Sequence, residues 1–341
     1  MSDRVLLTGG AGLIGSTITD LLLEDPGVEA ITVFDDFSRG TLANLARAVR
    51  SPHVRVVRGD VRDVAAVERV VREADVVFHL PAIRITRCAS EPRLANDIIV
   101  NGTFNVLEAA AAHGVRKVVA SSTASVYGMA EVFPTTERHH SYNNDTIYGA
   151  AKAYNEGLLR SFKAMHDLDY VALRYFNVYG PRMDTEGKYT EVLIRWMQAI
   201  ESGQPPVVHG DGSATMDFVN VRDVARANLA AMRADVTDEV FNVARGEETS
   251  LLQLAQALLR VMGSELTVQH TDVRAVNSVP RRLADTSKAE RVLGFRAETG
   301  LEEGLAELVA WWRGLGAEEA ESRDLAVPRP SAARRDALAA L

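Results

Sequence analysis

The sequence predicts an α/β protein built on a doubly wound parallel sheet, with a smaller α/β substrate domain toward its C-terminal end. Two observations point there first. Short apolar runs alternate with helical patterns as far as about residue 178, and strands that alternate with helices pair in parallel with both faces covered. After residue 180 the order changes to charged helices mixed with short strands. A third observation, a glycine triplet at the first strand-to-helix turn, fixes where a ligand would lie.

The elements follow in order. "RVLLTGG" reads as a strand and "LIGSTITDLLLED" as a helix. "AITVFDD" is a strand, "LANLARAVR" a helix, "VRVVRGD" a strand and "VAAVERVVREA" a helix. "DVVFHLPA" is a strand, "NDIIVNGTFNVLEAAAAHG" one helix, and "RKVVASS" a strand. "IYGAAKAYNEGLLRSFKAMHD" is a helix and "DYVALRYFN" a strand. Beyond them, the helices "YTEVLIRWMQAIESG", "LLQLAQALLRVMG" and "LEEGLAELVAWWRG" mix with the strands "PPVVHGD", "DFVNV" and "EVFNVARG". The expected division is a cofactor domain over 1–178, with segments near 215–245 crossing back to it. A substrate domain over 179–316 and a tail over 317–341 complete it. The tail is rich in Ala, Arg and Glu and reads as a loosely attached extension.

The chain has 341 residues, 47% hydrophobic and 25% charged, enough for a sizeable core. A net charge of −8 gives no electrostatic reason to expect nucleic acid or an anionic membrane as a partner. Cys88 is the single cysteine, so no intramolecular disulfide forms, and the chain reads as cytoplasmic. Cys88 itself reads as a small buried hydrophobe. No apolar run approaches the length of a membrane span, and the short run in "MSDRVLLTGG" is no signal peptide. His139 and His140 have no carboxylate or cysteine at metal-ligand spacing, so no metal is expected. Trp311 and Trp312 are expected to pack the last helix onto the smaller unit.

"VLLTGGAGLIGS" sets Gly9, Gly12 and Gly15 between a strand and a helix. Gly9 permits the tight turn, Gly12 lets the backbone approach a pyrophosphate, and Gly15 lets the helix pack on the sheet. The helix start supplies free N–H groups and partial positive charge. Asp35 closes the second strand 20 residues after Gly15. A carboxylate there accepts from a ribose 2′-hydroxyl and repels a 2′-phosphate, which selects NAD over NADP and outweighs the nearby Arg39. Tyr148 and Lys152 stand four apart, on one helical face. An ammonium nearby lowers a phenol pKa from its usual value near ~10, so the phenolate can take a proton from a sugar hydroxyl as hydride leaves.

These motifs, with "GDVRD", "HLPA", "VNGTFNVLEAA", "SSTASVYG", "RYFNVYGPR" and "ADTSKAERVLGF", resemble the extended short-chain dehydrogenase/reductase family in its NAD-dependent epimerase/dehydratase branch, over roughly 3–314. The resemblance implies a Rossmann-type fold. It places Asp60 and Val61 at the adenine, and Leu80, Pro81 and Ala82 along the cofactor, with Leu13, Ile14 and Ser121 in the same set. Tyr175 falls near the nicotinamide and Lys152 on its ribose. The family usually has Ala at Pro81. Thr123 matches the hydroxyl that shares the sugar hydrogen bond with Tyr148. Dehydratases of the family, and often its decarboxylases, carry a Glu beside that Thr, whereas this chain has Ala124 and Ser125. Neither does acid–base work near neutral pH.

The implied reaction is a sugar 4-epimerisation on a nucleotide sugar, with UDP-glucuronate preferred and a neutral UDP-hexose next. Asn177 matches a contact near the sugar and phosphate, and Ser125 joins the substrate set. Two usual phosphate arginines are replaced by Met216 and Ala275, the latter beside Arg274. Arg182, Arg195, Arg274, Arg281 and Arg282 are candidates to take over, because a diphosphate needs compensating charge. Arg84 and Arg87 follow a strand end, where ligands bind in such sheets, and would meet a uronate carboxylate; a salt bridge to Glu91 is the alternative. Rival readings are a 4,6-dehydratase, a reductase and a non-catalytic NAD-binding regulatory protein. Relatives are commonly homodimers, and a homodimer is expected here.

Overall fold

The computed structural model describes residues 2–185, 191–272 and 279–324, with side chains as far as residue 315. Six early strands form as expected: β1 (Asp3–Thr8), β2 (Val28–Asp35), β3 (Val54–Arg58), β4 (Val76–His79), β5 (Lys117–Thr123) and β6 (Asp169–Tyr175). The strand Glu239–Val243 joins them, and the seven-stranded order is Glu239–Val243, β6, β5, β4, β1, β2, β3. Every pairing is parallel. The chain winds outward from β1 to β3, then returns to place β4 on the other side of β1. That reversal opens a crevice beyond the carboxyl ends of β1 and β4, where such sheets take ligands.

Strand alternation sorts the core into two layers. Val5 and Leu7 of β1 point into one cluster with Ile18, Leu22, Val224 and Phe241. Leu6 points into the other with Val67, Val106, Leu159 and Phe162. A further cluster lies over the later chain. Leu193, Trp196 and Met197 of the Val192–Glu201 helix meet Leu254 and Leu258 of Leu251–Met262, and Leu305 and Leu308 of Leu301–Asp324. Trp311 and Trp312 pack against this cluster, as the sequence led one to expect. The last helix runs on to Asp324, into the segment read as a tail, and 325–341 lie outside the described residues.

Three segments differ from the reading above. "LANLARAVR" forms two 3-10 turns, Ala43–Leu45 and Ala48–Arg50, rather than a helix. Only Leu45 and Ala48 anchor it, while Leu42 and Val49 stay 59% and 50% exposed, so no continuous apolar stripe holds a helix to the sheet. The long helix after β4 is broken: Pro92–Asn96, a π turn over Asp97–Asn101, then Gly102–His113. The carbonyl of Ile99 in that π turn accepts from the Thr103 hydroxyl and from Asn155 Nδ2, so side chains stabilise the irregular turn. Finally, Val221–Arg233 is a helix that the pattern hid. Its buried face carries Asp223 and Asn228, which disguises the apolar period.

Asp217 holds the later segments in place. It is fully buried and its carboxylate accepts from the backbone N–H groups of Arg245 (2.9 Å), Gly246 (3.0 Å) and Ala284 (3.2 Å). Asp217→Ala strands those donors and is expected to cost about 2–4 kcal/mol, read as a lower midpoint in urea unfolding. Asp217→Asn keeps one acceptor oxygen and should lose less.

Candidate active site

The turn after β1 is shaped by its glycines. Gly9 has φ +68°, and a Cβ there would lie 3.1 Å from Pro81 N. A Cβ on Gly15 would come within 2.5 Å of Gly10 Cα, so only glycine lets the Leu13–Leu22 helix close on the turn. At Gly12 a Cβ would meet only Gly9 O, at 3.6 Å, which leaves the space a pyrophosphate needs. No side chain caps this helix, and its first N–H groups have no partner inside it. Leu13 and Ile14 form that first turn, and Ile14 lines the cleft. Asp35 is buried and accepts from Ala11 N (2.8 Å) and Phe37 N (2.9 Å), which orients its carboxylate at the end of β2. Burial pushes its pKa up, against those two hydrogen bonds. Asp60 is held by Arg62, while Val61 is buried against Gly102.

A cleft of about 2090 Å³ runs from this crevice toward the later helices. Thr123, Ser125, Tyr148, Tyr175 and Asn177 all line it. Thr123 ends β5, and its Oγ accepts from Ser125 N at 3.1 Å. The Thr123 side chain sits beside the Tyr148 phenol and pulls its pKa down. Tyr148 opens the Ile147–His166 helix, which Thr146 caps by accepting from Gly149 N at 3.1 Å. Asn144 joins the two pieces: its Nδ2 donates to Ser125 O (2.7 Å) and its Oδ1 accepts from Thr146 N (3.0 Å). The sequence reading missed Asn144 and Gly149; the capping Thr just before an apolar run was the available signal.

Burial pushes the Tyr148 phenol up to about 12, while Thr123 and the Arg39 charge pull it down. Lys152 is not among the groups that shift it. Its Nζ donates to Ser121 O (2.8 Å), Ser121 Oγ (3.1 Å) and Pro81 O (3.2 Å), clamping the ends of β4 and β5 beside Leu80 and Ala82. Burial pulls its own pKa down to about 8. Beneath it His79 is locked between Thr8 (2.8 Å) and Thr103 (2.9 Å) and stays neutral, burial pulling it down to about 3. Tyr175 donates to Asn228 Oδ1 at 2.9 Å.

The remaining hydroxyl of the "SSTASVYG" cluster has a structural partner. Ser122 donates to Glu156, which pairs with Arg174 through Oε1 (2.9 Å) and Oε2 (2.6 Å). Arg174 also reaches Tyr127 Oη at 2.9 Å. This buried pair could not be read beforehand, because its partners lie on separate elements.

The candidate arginines part company. Arg84 lines the cleft and faces Asp184 (3.0 Å) and Glu191 (3.7 Å). Arg87 turns to Glu91 at 2.9 Å, four residues on, and is not among the cleft-lining residues. Arg182 pairs with Asp20 on the first helix, also away from the cleft lining. Arg195, Arg281 and Arg282 line the cleft. Met216 lines it as well, whereas Arg274 and Ala275 lie outside the described residues. Cys88 is buried, as read. Among the described residues no cluster could hold a metal, and no helix is long and apolar enough to cross a membrane. His139 bonds to the backbone of Glu131 and His140.

Comparisons with known proteins place the chain among relatives of one family. The profile of the NAD dependent epimerase/dehydratase family covers residues 5–244. A UDP-glucose 4-epimerase of Mycolicibacterium smegmatis is 35% identical over 313 residues, 91% of this chain and 98% of its own. A dTDP-glucose 4,6-dehydratase of an Actinoplanes species is 31% identical over 319 residues, 91% and 98% of the two chains. A UDP-N-acetylglucosamine 4-epimerase from Methanobrevibacter ruminantium, solved with UDP-N-acetylmuramic acid, superposes with a TM-score of 0.87 at 32% identity, over 92% and 99% of the two chains. The chain therefore belongs to the NAD-dependent epimerase/dehydratase family, of the extended short-chain dehydrogenase/reductase type, and its cofactor is NAD. The glycine turn, the uncapped helix start and Asp35 fit that dinucleotide.

Proposed function

We propose that the protein is a 4-epimerase of UDP-sugars. One observation carries this reading. The Tyr148–Thr123 pair is followed by Ala124 and Ser125, so the catalytic turn holds a proton shuttle and no acid to drive elimination. Among the described residues the carboxylates that line the cleft, Glu191, Asp211 and Glu248, come from the later chain. Tyr148 takes the proton of the C4 hydroxyl, Thr123 shares that hydrogen bond, and Tyr148 returns the proton after the sugar has turned over. NAD supplies the oxidation and re-reduction of C4. Asp35 and the glycine turn would hold it, and Lys152 fixes the strand ends of Pro81 and Ser121 on which its nicotinamide ribose would rest. Incubation with UDP-glucuronate, UDP-glucose and UDP-N-acetylglucosamine, resolved by anion-exchange chromatography, tests the reading. A C4 epimer without added NAD is expected, and a 4-keto-6-deoxy product would replace the reading with a dehydratase.

Lys152 gives this proposal a pH signature. Its folded pKa of about 8 lies below its ordinary value, so the ammonium is lost as pH rises through about 8. Turnover is expected to fall across that point in a pH profile of kcat/KM. Lys152→Arg, which stays charged, should abolish the fall whatever activity remains. The proposal also keeps a homodimer: Phe104 and Tyr154, on the helices Gly102–His113 and Ile147–His166, are 42% and 56% exposed.

A further inference from the structure

The arginines around the cleft differ in how their charge is matched. Arg281 lies in a two-bond pair with Glu248, both at 2.7 Å. Arg84 faces Asp184 and Glu191, and Arg39 faces Asp184 at 3.6 Å. Arg282, the next residue after Arg281, turns the other way. Its Nη1 donates to the Ala124 carbonyl at 2.7 Å, and among the described residues it makes no ion pair. Burial pulls its pKa down to about 10, with Asp145 the one charge pulling back. Arg282 is half-buried; a guanidinium shielded from water without a counterion is costly, and four of its five N–H donors are not used on Ala124.

The position of this unmatched cation is specific. Ala124 stands between Thr123 and Ser125, and all three line the cleft with Tyr148, whose phenol Thr123 adjoins. If Tyr148 and Thr123 meet the C4 hydroxyl, the atoms beside them are C3 and the C5–C6 arm. The diphosphate hangs from C1, across the ring. An anion at Arg282 is then a carboxylate at C6. The charge first sought in Arg84, which faces Asp184 and Glu191, and Arg87, which is turned to Glu91, is supplied by a residue 158 positions further along the chain than Ala124.

We infer that Arg282 is the specificity-determining residue of the site and that its fork holds the carboxylate of a hexuronate, so that the substrate class is a UDP-hexuronate. The inference deepens the 4-epimerase reading and rests on it for the sugar atom that meets Tyr148. Two coplanar N–H donors match a carboxylate in a way that a hydroxymethyl group does not.

The test is calorimetric titration of the NAD-loaded protein with UDP-glucuronate and with UDP-glucose, which differ only at C6, alongside product analysis. The wild type is expected to bind the uronate more tightly. In Arg282→Ala the ratio of the two dissociation constants should shrink by about 10–100-fold, the range of one charge-assisted hydrogen-bonded contact. Arg282→Lys keeps the charge without the fork and should retain part of the ratio. It decides the matter if the alanine variant does not fold. Equal affinity of the wild type for both sugars overturns the inference. So does an equal weakening of both in the variants, which would assign the guanidinium to the shared diphosphate or to the local fold. Uronate-selective binding that depends on Arg282 but yields no C4 epimer overturns the 4-epimerase reading alone. Epimerisation of UDP-glucose without uronate selectivity overturns the inference alone.

Discussion

Tyr148→Phe is expected to lower kcat by about 10²–10⁴-fold, the contribution of a positioned general base, while leaving NAD bound. The change removes one oxygen, and the ring still fills its place beside Ile83 and Cys88. What is lost is the group that moves the C4 proton. Its ionisation gives the prediction a second part. In the protein without cofactor the phenol sits at about 12, because burial outweighs Thr123 and Arg39. The basic form carries the first step, so the rate of the NAD-loaded protein should climb with pH until the loss of the Lys152 proton near 8 turns it down. The positive nicotinamide of NAD, placed beside the phenol, favours the phenolate and should shift its titration to lower pH. Titrating phenolate absorption with and without NAD, in wild type and Tyr148→Phe, isolates this one group. A Phe variant that retains full turnover would transfer the proton step to another residue. Thr123→Ala should cost less, since Thr123 shares the hydrogen bond and does not carry the proton.

How far this site was legible depends on where each residue finds its partner. The glycine turn could be read because its requirement is local: φ +68° at Gly9 and the close approach at Gly15 follow from the backbone itself. Tyr148 and Lys152 could be read because one helix sets their spacing. The job of Lys152 could not, because its acceptors, Pro81 and Ser121, come from two other strand ends. The arginines show the same limit. Arg87 finds Glu91 one turn away, whereas Arg182 finds Asp20 across 162 positions. Asp217 and the Arg174–Glu156 pair escaped notice for a related reason. A buried charge looks like any surface charge until the fold supplies its hydrogen bonds. The parallel sheet itself was plain, since its alternation of strand and helix needs no partner to be seen. The helix Val221–Arg233 was not, because its buried side uses Asp223 to accept from Thr299 N and Asn228 to accept from Tyr175.

Gly149→Ala should show that the catalytic pair depends on a single close approach. A Cβ at Gly149 would fall 2.2 Å from Asn144 Nδ2 and 2.4 Å from Ser125 O. The amide can swing aside, but the Ser125 carbonyl is backbone in the turn that begins at Thr123. Relief therefore has to come from moving the Ile147–His166 helix away from that turn, which separates Tyr148 from Thr123. A displacement of about 1 Å at reacting groups is enough for a ~100-fold loss of turnover. Overpacking adds about 1–3 kcal/mol of destabilisation. Gly157→Ala is the control on the same helix. Its Cβ would meet nothing within 4 Å, so it should stabilise the protein by about 0.5–1 kcal/mol and leave turnover unchanged. The two variants make the same chemical change on one helix, so helix propensity cancels between them and the difference reads the contact alone. If Gly149→Ala melts lower yet turns over at the wild-type rate, the helix and the turn move together and the Tyr148–Thr123 distance is set elsewhere. If it keeps its fold, binds NAD and loses turnover, the packing of one glycine against Ser125 is what places the base on the sugar.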